Sequence, residues 1–323
     1  MNNVTEIDYL KISGFKSLMD FSIENLTPLT VFAGPNASGK SNIFEAVEFF
    51  MTFVNAGDMK IFGTEKEIIN FNNQQKEIYF EIGSRTGSYN SLKTVFSFEN
   101  DVNHYQGMVK ERENISKVFN NFTRLFINNY QINRPKYRDD SKLDFYASNL
   151  EKVLKRLLTD KEKKDELVEN LRFFIPEFES IDVVSSELSG TDSLIVYEKN
   201  SKKPFPRNLL SDGTYNIIAL LVAVMQSDEP QFLCIEEPEN GLHPKVTGEL
   251  INFFKDECER KGHIIWLTTH SPSVISELTP GELVVVDKID GKTISKQFAG
   301  NDFFDIKLDV AWLSNVLGGG LPW

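Results

Sequence analysis

A glycine-rich octapeptide is the part of the sequence best suited to chemistry. It runs Gly-Pro-Asn-Ala-Ser-Gly-Lys-Ser over Gly34–Ser41 and fits the pattern G-x-x-x-x-G-K-[ST] in full. Its glycines let the backbone curl so that N–H groups face a phosphate, and the dipole of a following helix adds to the attraction. Lys40 is expected to bridge β- and γ-phosphates, and Ser41 to ligate Mg²⁺. The octapeptide therefore predicts a nucleoside triphosphate site.

Two carboxylates and a histidine, each at the end of an apolar run, could complete a hydrolytic site. Glu236 and Glu237 follow Phe232–Ile235, and His270 follows the run that starts at Ile264. Buried apolar runs rarely end in adjacent acids without a reason. The first acid can hold Mg²⁺, directly or through water, and the second can orient and polarise an attacking water. His270 is predicted to reach the γ-phosphate as a hydrogen-bonding sensor.

The start of an apolar helix is a further element that could bind phosphate. The run Leu210–Thr214 precedes the apolar stretch Ile217–Val224. Ser211 and the free N–H groups of the first turn would form another phosphate-binding helix start. Ser211 is also an ordinary N-cap residue, and the two roles are compatible.

The elements that must position these residues alternate between strand and helix. Short apolar strands are predicted at Leu29–Ala33, Gln231–Ile235 and Ile264–Thr268. Helices are predicted at Asn42–Phe50, 212–226 and 244–260. A helical stretch from Leu143 to Phe174 is expected to break within the polar run Thr159–Glu166, residues 66–110 have strand patterns, and 180–206 predict a strand pair with a loop. Buried strands separated by helices indicate a parallel-type sheet.

Composition and charge limit the partners. The length of 323 residues is enough for one large domain or two small ones. Hydrophobic residues make up 41% of the chain, which is ordinary for a globular protein with a buried core. A net charge of −12 gives no bulk attraction to nucleic acid, so any DNA contact would need a local basic patch or a partner. No apolar run approaches the roughly 20 residues that span a bilayer, and the first residues lack a signal-peptide pattern. We therefore expect a cytoplasmic protein without membrane contact, whose Cys234 and Cys258 are reduced thiols.

The four motifs, in this order, resemble those of the ABC ATPase superfamily. By that resemblance Gly34–Ser41 is the Walker A loop, Leu210–Thr214 the signature, Phe232–Glu237 the Walker B strand and His270 the switch histidine. The segment Pro238–Pro244 takes the place of the D-loop.

Two departures from the superfamily pattern narrow the resemblance. Glu236 stands where Walker B usually has Asp, and the signature is LSDGT instead of the transporter form LSGGQ. Both departures are similar to the RecF, SMC and OLD branch, whose members act on DNA and not on membranes. The resemblance implies that Glu236 is the metal-associated acid and Glu237 the catalytic base.

Further segments resemble the stand-alone bacterial ATPases called AAA-twenty-one or OLD-like. These segments are Gly14–Leu18, Thr269–Pro272 and the glycine-rich end Leu317–Trp323, and the resemblance is thin across 55–200. The implied fold is α/β, an ABC-type P-loop head with a mixed or parallel core sheet, an antiparallel β subdomain and a small helical lobe. We expect one domain over 1–323, with the core lobe at about 1–133 and 227–323 and the helical signature lobe at about 134–226.

The resemblance also implies a full set of site residues. The implied catalytic residues are Lys40, Glu237 and His270, and the implied Mg²⁺ ligands are Ser41, Glu236 and Gln131. Residues implied to bind ATP are Gly34, Pro35, Asn36, Ala37, Ser38, Gly39, Lys40, Ser41, Asn42, Gln131, Ser211, Asp212 and Gly213. Gln131 is the expected Q-loop glutamine because it lies where the core sheet should pass to the helical lobe, and Gln74 and Gln75 are the alternatives.

In this superfamily the signature of one subunit closes on the ATP of another, and this chain has one copy of each motif. The resemblance therefore implies a head-to-tail homodimer around two ATP–Mg²⁺. The helical insertion at about 143–174 is too short for an SMC-type arm, and 271–323 is too short for a TOPRIM nuclease domain. We therefore expect a motor or switch without its own effector. Stand-alone ATPases of the family that it resembles are commonly paired with a separate nuclease or toxin, so the resemblance implies the sensor and switch ATPase of a bacterial antiphage defence system, controlling such an effector.

Two other functions are compatible with the sequence. One is a RecF-like DNA-repair ATPase that meets DNA through two basic clusters, Arg134, Lys136 and Arg138, and Lys152, Lys155 and Arg156. Interleaved acids favour a solvated charged face for these clusters instead: Asp139, Asp140, Asp144 and Glu151. The other is a nucleotide-dependent scaffold without catalysis, against which intact Glu237 and His270 argue.

Overall fold

The computed structural model describes residues 7–55, 59–70, 73, 76–84, 90–99, 102–106, 116–127, 140–185, 192–300 and 306–318. The strands in chain order are β1 (Tyr9–Ser13), β2 (Phe21–Glu24), β3 (Leu29–Ala33), β4 (Glu77–Ser84), β5 (Asn90–Glu99), β6 (Val102–Gln106), β7 (Phe122–Leu125), β8 (Phe178–Ser185), β9 (Asp192–Glu198), β10 (Phe205–Pro206), β11 (Phe232–Glu236), β12 (Ile264–Thr269), β13 (Leu283–Ile289) and β14 (Lys292–Gln297). The helices are α1 (Lys40–Val54), α2 (Glu65–Ile68), α3 (Ser116–Asn120), α4 (Leu150–Thr159), α5 (Lys161–Phe174), α6 (Asp212–Met225), α7 (Pro244–Lys261), α8 (Pro272–Ile275) and α9 (Leu308–Leu313).

The described residues fall into two units. The first unit takes its residues from Met1–Arg124, Glu229–Glu237 and Ile251–Trp323, and the second from Leu125–Asp228 and Pro238–Leu250. Each unit is built around its own sheets.

A six-stranded sheet frames the first unit, with the strand order β14-β13-β3-β12-β11-β7. The pairs β3–β12, β11–β12 and β3–β13 are parallel, whereas β13–β14 is antiparallel. Every residue of β3, β11 and β12 is buried. Sheet strands covered on both faces are made of nearly continuous apolar residues, which is why these three were recognisable in the sequence.

A five-stranded antiparallel sheet, β2-β1-β4-β5-β6, completes the first unit. Helix α1 contributes to the aromatic core through Phe44, Phe49 and Phe50. The Phe50 ring stacks on Phe80 of β4 with centroids 4.1 Å apart, and Phe44 meets Phe32 of β3 edge-on at 5.6 Å. Aromatic packing thus fixes the helix that follows the glycine loop.

The second unit combines helices α4, α5 and α6 with the three-stranded antiparallel sheet β10-β9-β8. Helix α6 is buried throughout Tyr215–Met225. The expected break between α4 and α5 is present but is confined to Asp160, whose carboxylate accepts hydrogen bonds from the N–H groups of Glu162 and Lys163. Because this cap starts α5 at once, the residues 161–166 are helical and not part of the break.

The fold class expected from the sequence is confirmed: a mixed α/β architecture with a mixed core sheet, antiparallel sheets and helices. One local expectation is wrong, because Glu65–Ile68 forms the short helix α2 inside a stretch with strand patterns. Thr64 and Glu67 form a capping box there, a local signal that outweighs the strand pattern. Among the described helices, none is both long enough and apolar enough to cross a membrane.

Candidate active site

The glycine loop joins β3 to α1 at the carboxyl end of a central parallel strand. Gly39 has a φ of 103°, and Ala37 a φ of 65°, so the chain turns through left-handed conformations that favour glycine. The Lys40 ammonium donates to the carbonyl oxygens of Gly34 at 2.8 Å and Pro35 at 2.9 Å. Ser38 is 2% exposed, and its hydroxyl has no hydrogen-bond partner among the described atoms. An ammonium and an unpartnered buried hydroxyl in one loop fit a phosphate ligand.

A buried network of hydroxyl groups supports this loop from behind. The hydroxyls of Ser17 and Thr293 are 2.6 Å apart, and the Thr293 hydroxyl donates to the carbonyl oxygen of Ser38 at 3.0 Å. The Asn42 side chain donates to the Ser17 hydroxyl at 2.7 Å. A Cβ on Gly39 would lie 2.0 Å from the Thr293 hydroxyl oxygen. Asn42, predicted as a nucleotide-binding residue, is thus engaged in supporting the loop through Ser17.

The end of β11 lies beside the loop. The Ser41 hydroxyl donates to Glu236 Oε2 at 2.7 Å. A serine hydroxyl that donates its proton keeps oxygen lone pairs for a cation. Hydroxyl and carboxylate oxygens are the ligands that Mg²⁺ prefers, so Ser41 and Glu236 fit the predicted metal role. Across the described residues, no group of three or more His, Cys, Asp or Glu side chains forms a separate metal cluster.

A buried arginine that sequence reasoning missed holds Glu236. Arg124, on β7, donates from Nε at 2.8 Å and from Nη2 at 2.5 Å to Glu236 Oε1, and from Nη1 at 2.7 Å to Glu48 Oε2. Burial alone would lower the pKa of Arg124, but the carboxylates of Glu236 and Glu48 outweigh it and hold that pKa above its ordinary value. The signal available in the sequence was a lone arginine inside a short apolar strand, because buried arginine requires acidic partners.

Glu237 and His270 are neighbours at the same edge of the sheet. Glu237 Oε1 lies 3.4 Å from His270 Nδ1, and the two side chains are 28% and 48% exposed. The Glu237 N–H donates to the carbonyl oxygen of Thr268 at 3.0 Å, and its φ of 47° is a left-handed value that is rare for glutamate. Backbone strain of this kind clusters at functional sites. Both side chains can therefore reach one ligand from the carboxyl ends of β11 and β12.

The turn at Leu210–Thr214 belongs to the second unit. The Ser211 hydroxyl caps α6 by accepting from the Thr214 N–H at 3.1 Å, while Ser211 and Asp212 themselves are exposed. Gly213 packs so closely on the loop after β11 that a Cβ would lie 2.5 Å from the carbonyl oxygen of Gly241. The turn thus presents a capped helix start at the surface of its unit, as the dual role of Ser211 requires.

Several predicted positions lie outside the described residues. They are Gln131 with its alternatives Gln74 and Gln75, and the basic residues Arg134, Lys136 and Arg138. In the second basic cluster, Lys155 is paired with Asp192 at 3.0 Å, and Arg156 donates to backbone carbonyl oxygens of Asp140, Ser141 and Gln226. Arg156 thus serves the packing of its own unit.

A family comparison covers most of the chain. Residues 29–276 match the sequence model of the AAA_21 family, described as "AAA domain, putative AbiEii toxin, Type IV TA system". The matched segment begins with β3, before the glycine loop, and ends just after α8, beyond His270. It therefore contains every site residue described above except the supporting residues Ser17 and Thr293.

Curated relatives match over a shorter segment. The energy-coupling factor transporter ATP-binding protein EcfA2 of Lactobacillus acidophilus is 34% identical over 110 residues, which are 34% of this chain and 35% of that protein. The corresponding EcfA1 of Methanospirillum hungatei JF-1 is 29% identical over 111 residues, 33% of this chain and 39% of that protein. The aligned part of the chain thus spans about a third of the length of these relatives.

Solved structures resemble the chain over most of its length. An Smc head bound to the C-winged helix domain of ScpA has a TM-score of 0.61 at 16% identity, covering 90% of this chain and 97% of that one. The SMC head domain from Thermotoga maritima has a TM-score of 0.53 at 14% identity, covering 90% and 98%. At such low identity these likenesses show the fold.

Proposed function

The chain belongs to the AAA_21 family and is a P-loop ATPase of the ABC superfamily with a RecF/SMC-like head, and from this premise we propose that it binds ATP–Mg²⁺ at Gly34–Ser41 and hydrolyses it. One observation carries the proposal. The loop after β3, the acids at the end of β11 and the histidine after β12 all lie at the carboxyl ends of adjacent parallel strands. Ligands of open α/β sheets bind at such edges.

Binding is assigned to the loop and its neighbours. The Lys40 ammonium exchanges its bonds to the Gly34 and Pro35 carbonyls for phosphate oxygens. The buried Ser38 hydroxyl, which has no partner among the described atoms, donates to the same phosphate group. Ser41 and Glu236 hold the metal ion, which neutralises charge on the β- and γ-phosphates when bound. Gln131 remains the predicted Q-loop ligand.

Hydrolysis is assigned to Glu237 and His270. The Glu237 carboxylate orients a water and accepts its proton as the water attacks the γ-phosphorus, while the bond from that phosphorus to the β–γ bridging oxygen breaks and ADP leaves. His270 donates a hydrogen bond to the γ-phosphate, and its Nδ1 lies close enough to Glu237 Oε1 to keep the two groups in one arrangement. The presence of both side chains at one edge supports turnover and disfavours a scaffold without catalysis.

A head-to-tail homodimer completes the proposed site. Ser211, Asp212 and Gly213 at the start of α6 meet the ATP of the partner chain, with the helix dipole directed at the γ-phosphate. The exposure of Ser211 and Asp212 supports this, because a residue that acts on a second chain must be accessible.

Light scattering with two variants tests the ATPase and its dimer. Glu237→Gln keeps the size of the side chain but removes the base, so saturating ATP–Mg²⁺ should trap a dimer with at least a hundredfold slower turnover, about 2.7 kcal/mol. Lys40→Ala should bind no ATP and stay monomeric. A monomeric Glu237→Gln protein that still binds ATP would contradict the dimer, and unchanged turnover would contradict the role of Glu237.

We further propose that the ATPase is the sensor and switch subunit of a bacterial antiphage defence system. The dimer would hold or release a separate effector, a nuclease or toxin, so that ATP biases a two-state assembly. The support is the family description, which names a toxin of a toxin–antitoxin system, together with a cytoplasmic location expected from the sequence. A plaque assay on cells carrying the gene and its neighbours tests it: protection should disappear with Lys40→Ala, and protection that persists would contradict the proposal.

A RecF-like DNA-repair ATPase is the second candidate. The basic cluster on α4 gives it little support, because Lys155 and Arg156 are engaged in their own unit. A gel shift with duplex DNA at two salt concentrations separates the candidates, since phosphate contacts weaken steeply with salt. Tight, salt-sensitive binding that increases with ATP would favour DNA repair.

A further inference from the structure

The Walker B acid of this chain is held by an arginine from the neighbouring strand. Arg124 lies on β7 beside β11 and forks two of its N–H groups onto one oxygen of Glu236, Oε1. The opposite oxygen, Oε2, accepts from the Ser41 hydroxyl. The third arm of the guanidinium is bonded to Glu48 of α1. The side chains of Arg124, Glu236 and Glu48 are only 5%, 8% and 14% exposed.

These hydrogen bonds fix the orientation of the Glu236 carboxylate, which is on a longer side chain than aspartate. Glutamate has one more rotatable bond than the aspartate that usually occupies this position, and each added rotamer must be frozen before the carboxylate can hold a cation. A guanidinium is a rigid planar fork and fixes a carboxylate in orientation as well as in place. With Oε1 held by Arg124, only Oε2 remains directed at Ser41 and the loop.

We propose that Arg124 is a positioning residue for the metal, acting through Glu236 so that Oε2 faces the cation held with Ser41. This inference rests on the proposed ATP–Mg²⁺ site and specifies how this chain builds it with glutamate. Glu48 accepts a hydrogen bond from the remaining arm of the guanidinium.

Fold stabilisation alone is a weaker explanation of the cluster. Buried ion pairs are often replaced by apolar residues of similar volume without loss of stability. An apolar residue among Phe122, Thr123 and Leu125 of β7 would have been the simpler choice if packing were the only demand. An arginine here holds one carboxylate oxygen of Glu236, Oε1, and leaves Oε2 available to a cation, which a packing role does not need.

The test measures metal affinity separately from nucleotide affinity. The double variant Arg124→Gln/Glu48→Gln removes the guanidinium and one buried carboxylate together, so the net charge of the cluster is unchanged. Its half-saturating Mn²⁺ concentration in the presence of ADP, measured by electron paramagnetic resonance, should rise about 10–100-fold, as is typical when a residue that orients a metal ligand is lost. Binding of a fluorescent ATP analogue in EDTA should not change.

Three further variants test whether the loss of Mn²⁺ affinity comes from losing the planar guanidinium of Arg124. Glu48→Gln alone should retain nearly wild-type Mn²⁺ affinity, because both bonds to Glu236 remain. Arg124→Lys keeps the charge but not the planar fork and should bind Mn²⁺ more weakly than the wild type. Glu236→Asp, shorter by one C–C bond of about 1.5 Å, should also bind Mn²⁺ more weakly, although aspartate is the more usual residue. The surface variant Arg260→Gln, which breaks an unrelated pair with Glu257, is the control.

The outcomes separate this inference from the proposed function. A folded double variant or an Arg124→Lys protein with wild-type Mn²⁺ affinity would overturn the role of Arg124 and leave the ATPase proposal standing. An equal loss in Glu48→Gln would also overturn it, because the effect would not pass through Glu236. A wild-type protein that binds no ATP analogue would overturn the proposed function, and this inference with it.

Discussion

The side-chain amide of Asn216 donates a hydrogen bond to the backbone carbonyl oxygen of Asn240 at 2.8 Å. The same amide reaches the carbonyl oxygen of Pro238 at 3.1 Å. Asn216 lies in the second turn of α6, and Pro238 directly follows Glu237 in the chain. One buried side chain thus ties the helix that begins with the signature turn to the loop that begins after the predicted base. Gly213 reinforces the tie through its close approach to Gly241.

Replacing Asn216 with leucine should separate ATP binding from dimer formation. Two carbonyl oxygens, that of Pro238 in a buried bond and that of Asn240 in a partly buried one, would lose the Asn216 amide as a donor. This should cost about 1–3 kcal/mol in the free energy of unfolding, measured by urea denaturation. Because the loop after Glu237 would no longer be held to α6, we expect weaker ATP-dependent dimerisation by light scattering, with ATP binding to the monomer unchanged.

The control for this variant is Asn200→Ala, which removes an exposed asparagine bonded to Glu177 in the same unit. It should have wild-type stability and dimerisation. A stable Asn216→Leu protein with wild-type dimerisation would show that the hydrogen bonds to Pro238 and Asn240 have no role in assembly.

The network behind the glycine loop predicts an asymmetry between two substitutions. Gly39→Ala forces an alanine into a φ of 103° and places its Cβ 2.0 Å from the Thr293 hydroxyl oxygen. Thr293→Val keeps the volume of the side chain and removes only the hydroxyl that bonds to Ser17 and to the Ser38 carbonyl. Titration with a fluorescent ATP analogue should show no binding for Gly39→Ala and a smaller loss, about 10-fold or 1.4 kcal/mol, for Thr293→Val.

Thr279→Val is the control for the loss of a threonine hydroxyl. Thr279 is exposed and precedes the amino end of β13, whereas the glycine loop follows the carboxyl end of the parallel strand β3. It should bind the ATP analogue like the wild type. Wild-type affinity in Thr293→Val would mean that the loop keeps its shape without the buried hydroxyls.

The two thiols should be inert in the folded protein. Cys234 and Cys258 are buried and form no disulfide. Burial raises the pKa of Cys258 to about 12 and that of Cys234 well above its ordinary value. Since the thiolate is the reactive species, a thiol reagent at pH 8 should label neither residue until urea unfolds the chain. Labelling that rises in parallel with the unfolded fraction would agree, and rapid labelling without urea would contradict the burial of these residues.

These thiol pKa values also fix the sign of a pH effect on stability. Below the unfolded pKa of about 8.5, both states hold the protons and stability does not depend on these groups. Above it, the unfolded chain releases protons that the folded chain retains, so the free energy of unfolding should fall as the pH rises. Urea denaturation of Cys258→Ala should show a smaller fall between pH 8.5 and 10 than the wild type.

Much of the site was predictable because its residues follow strong local patterns. Lys40, Glu236 and His270 each stand at a fixed place beside a continuous apolar strand, and parallel strands bring their carboxyl ends to one edge. The break at Asp160 was predictable in kind, since polar residues interrupt the apolar spacing. Its length was not, because the capping hydrogen bonds that start α5 depend on backbone geometry.

The residues that sequence analysis missed act across long separations in the chain. Arg124 meets Glu236 and Glu48 only because β7 pairs beside β11, and Thr293 meets Ser38 only because β14 lies at the other edge of the sheet. Such pairs have no spacing pattern, so only the assembled sheet reveals them. The lone arginine of β7 was a visible anomaly, but the sequence did not indicate which acids it would meet.

The backbone of Glu237 should make glycine more stabilising than alanine at this position. A φ of 47° costs a residue with a Cβ about 1–2 kcal/mol relative to ordinary conformations, and glycine avoids this cost. Both Glu237→Gly and Glu237→Ala remove the carboxylate and should lose ATP turnover. In urea denaturation, however, the glycine variant should be more stable than the alanine variant by about 1 kcal/mol.

An exposed residue in an ordinary strand provides the reference for this comparison. At Lys288 in β13, whose φ is not left-handed, the glycine variant should be less stable than the alanine variant, because glycine loses more conformational freedom on folding. Opposite signs at the two positions would establish that Glu237 is held in a strained conformation by its surroundings. A glycine variant that is less stable than the alanine variant at both positions would contradict backbone strain at Glu237. The position of the Glu237 carboxylate would then need no explanation beyond the pairing of β11 with β12.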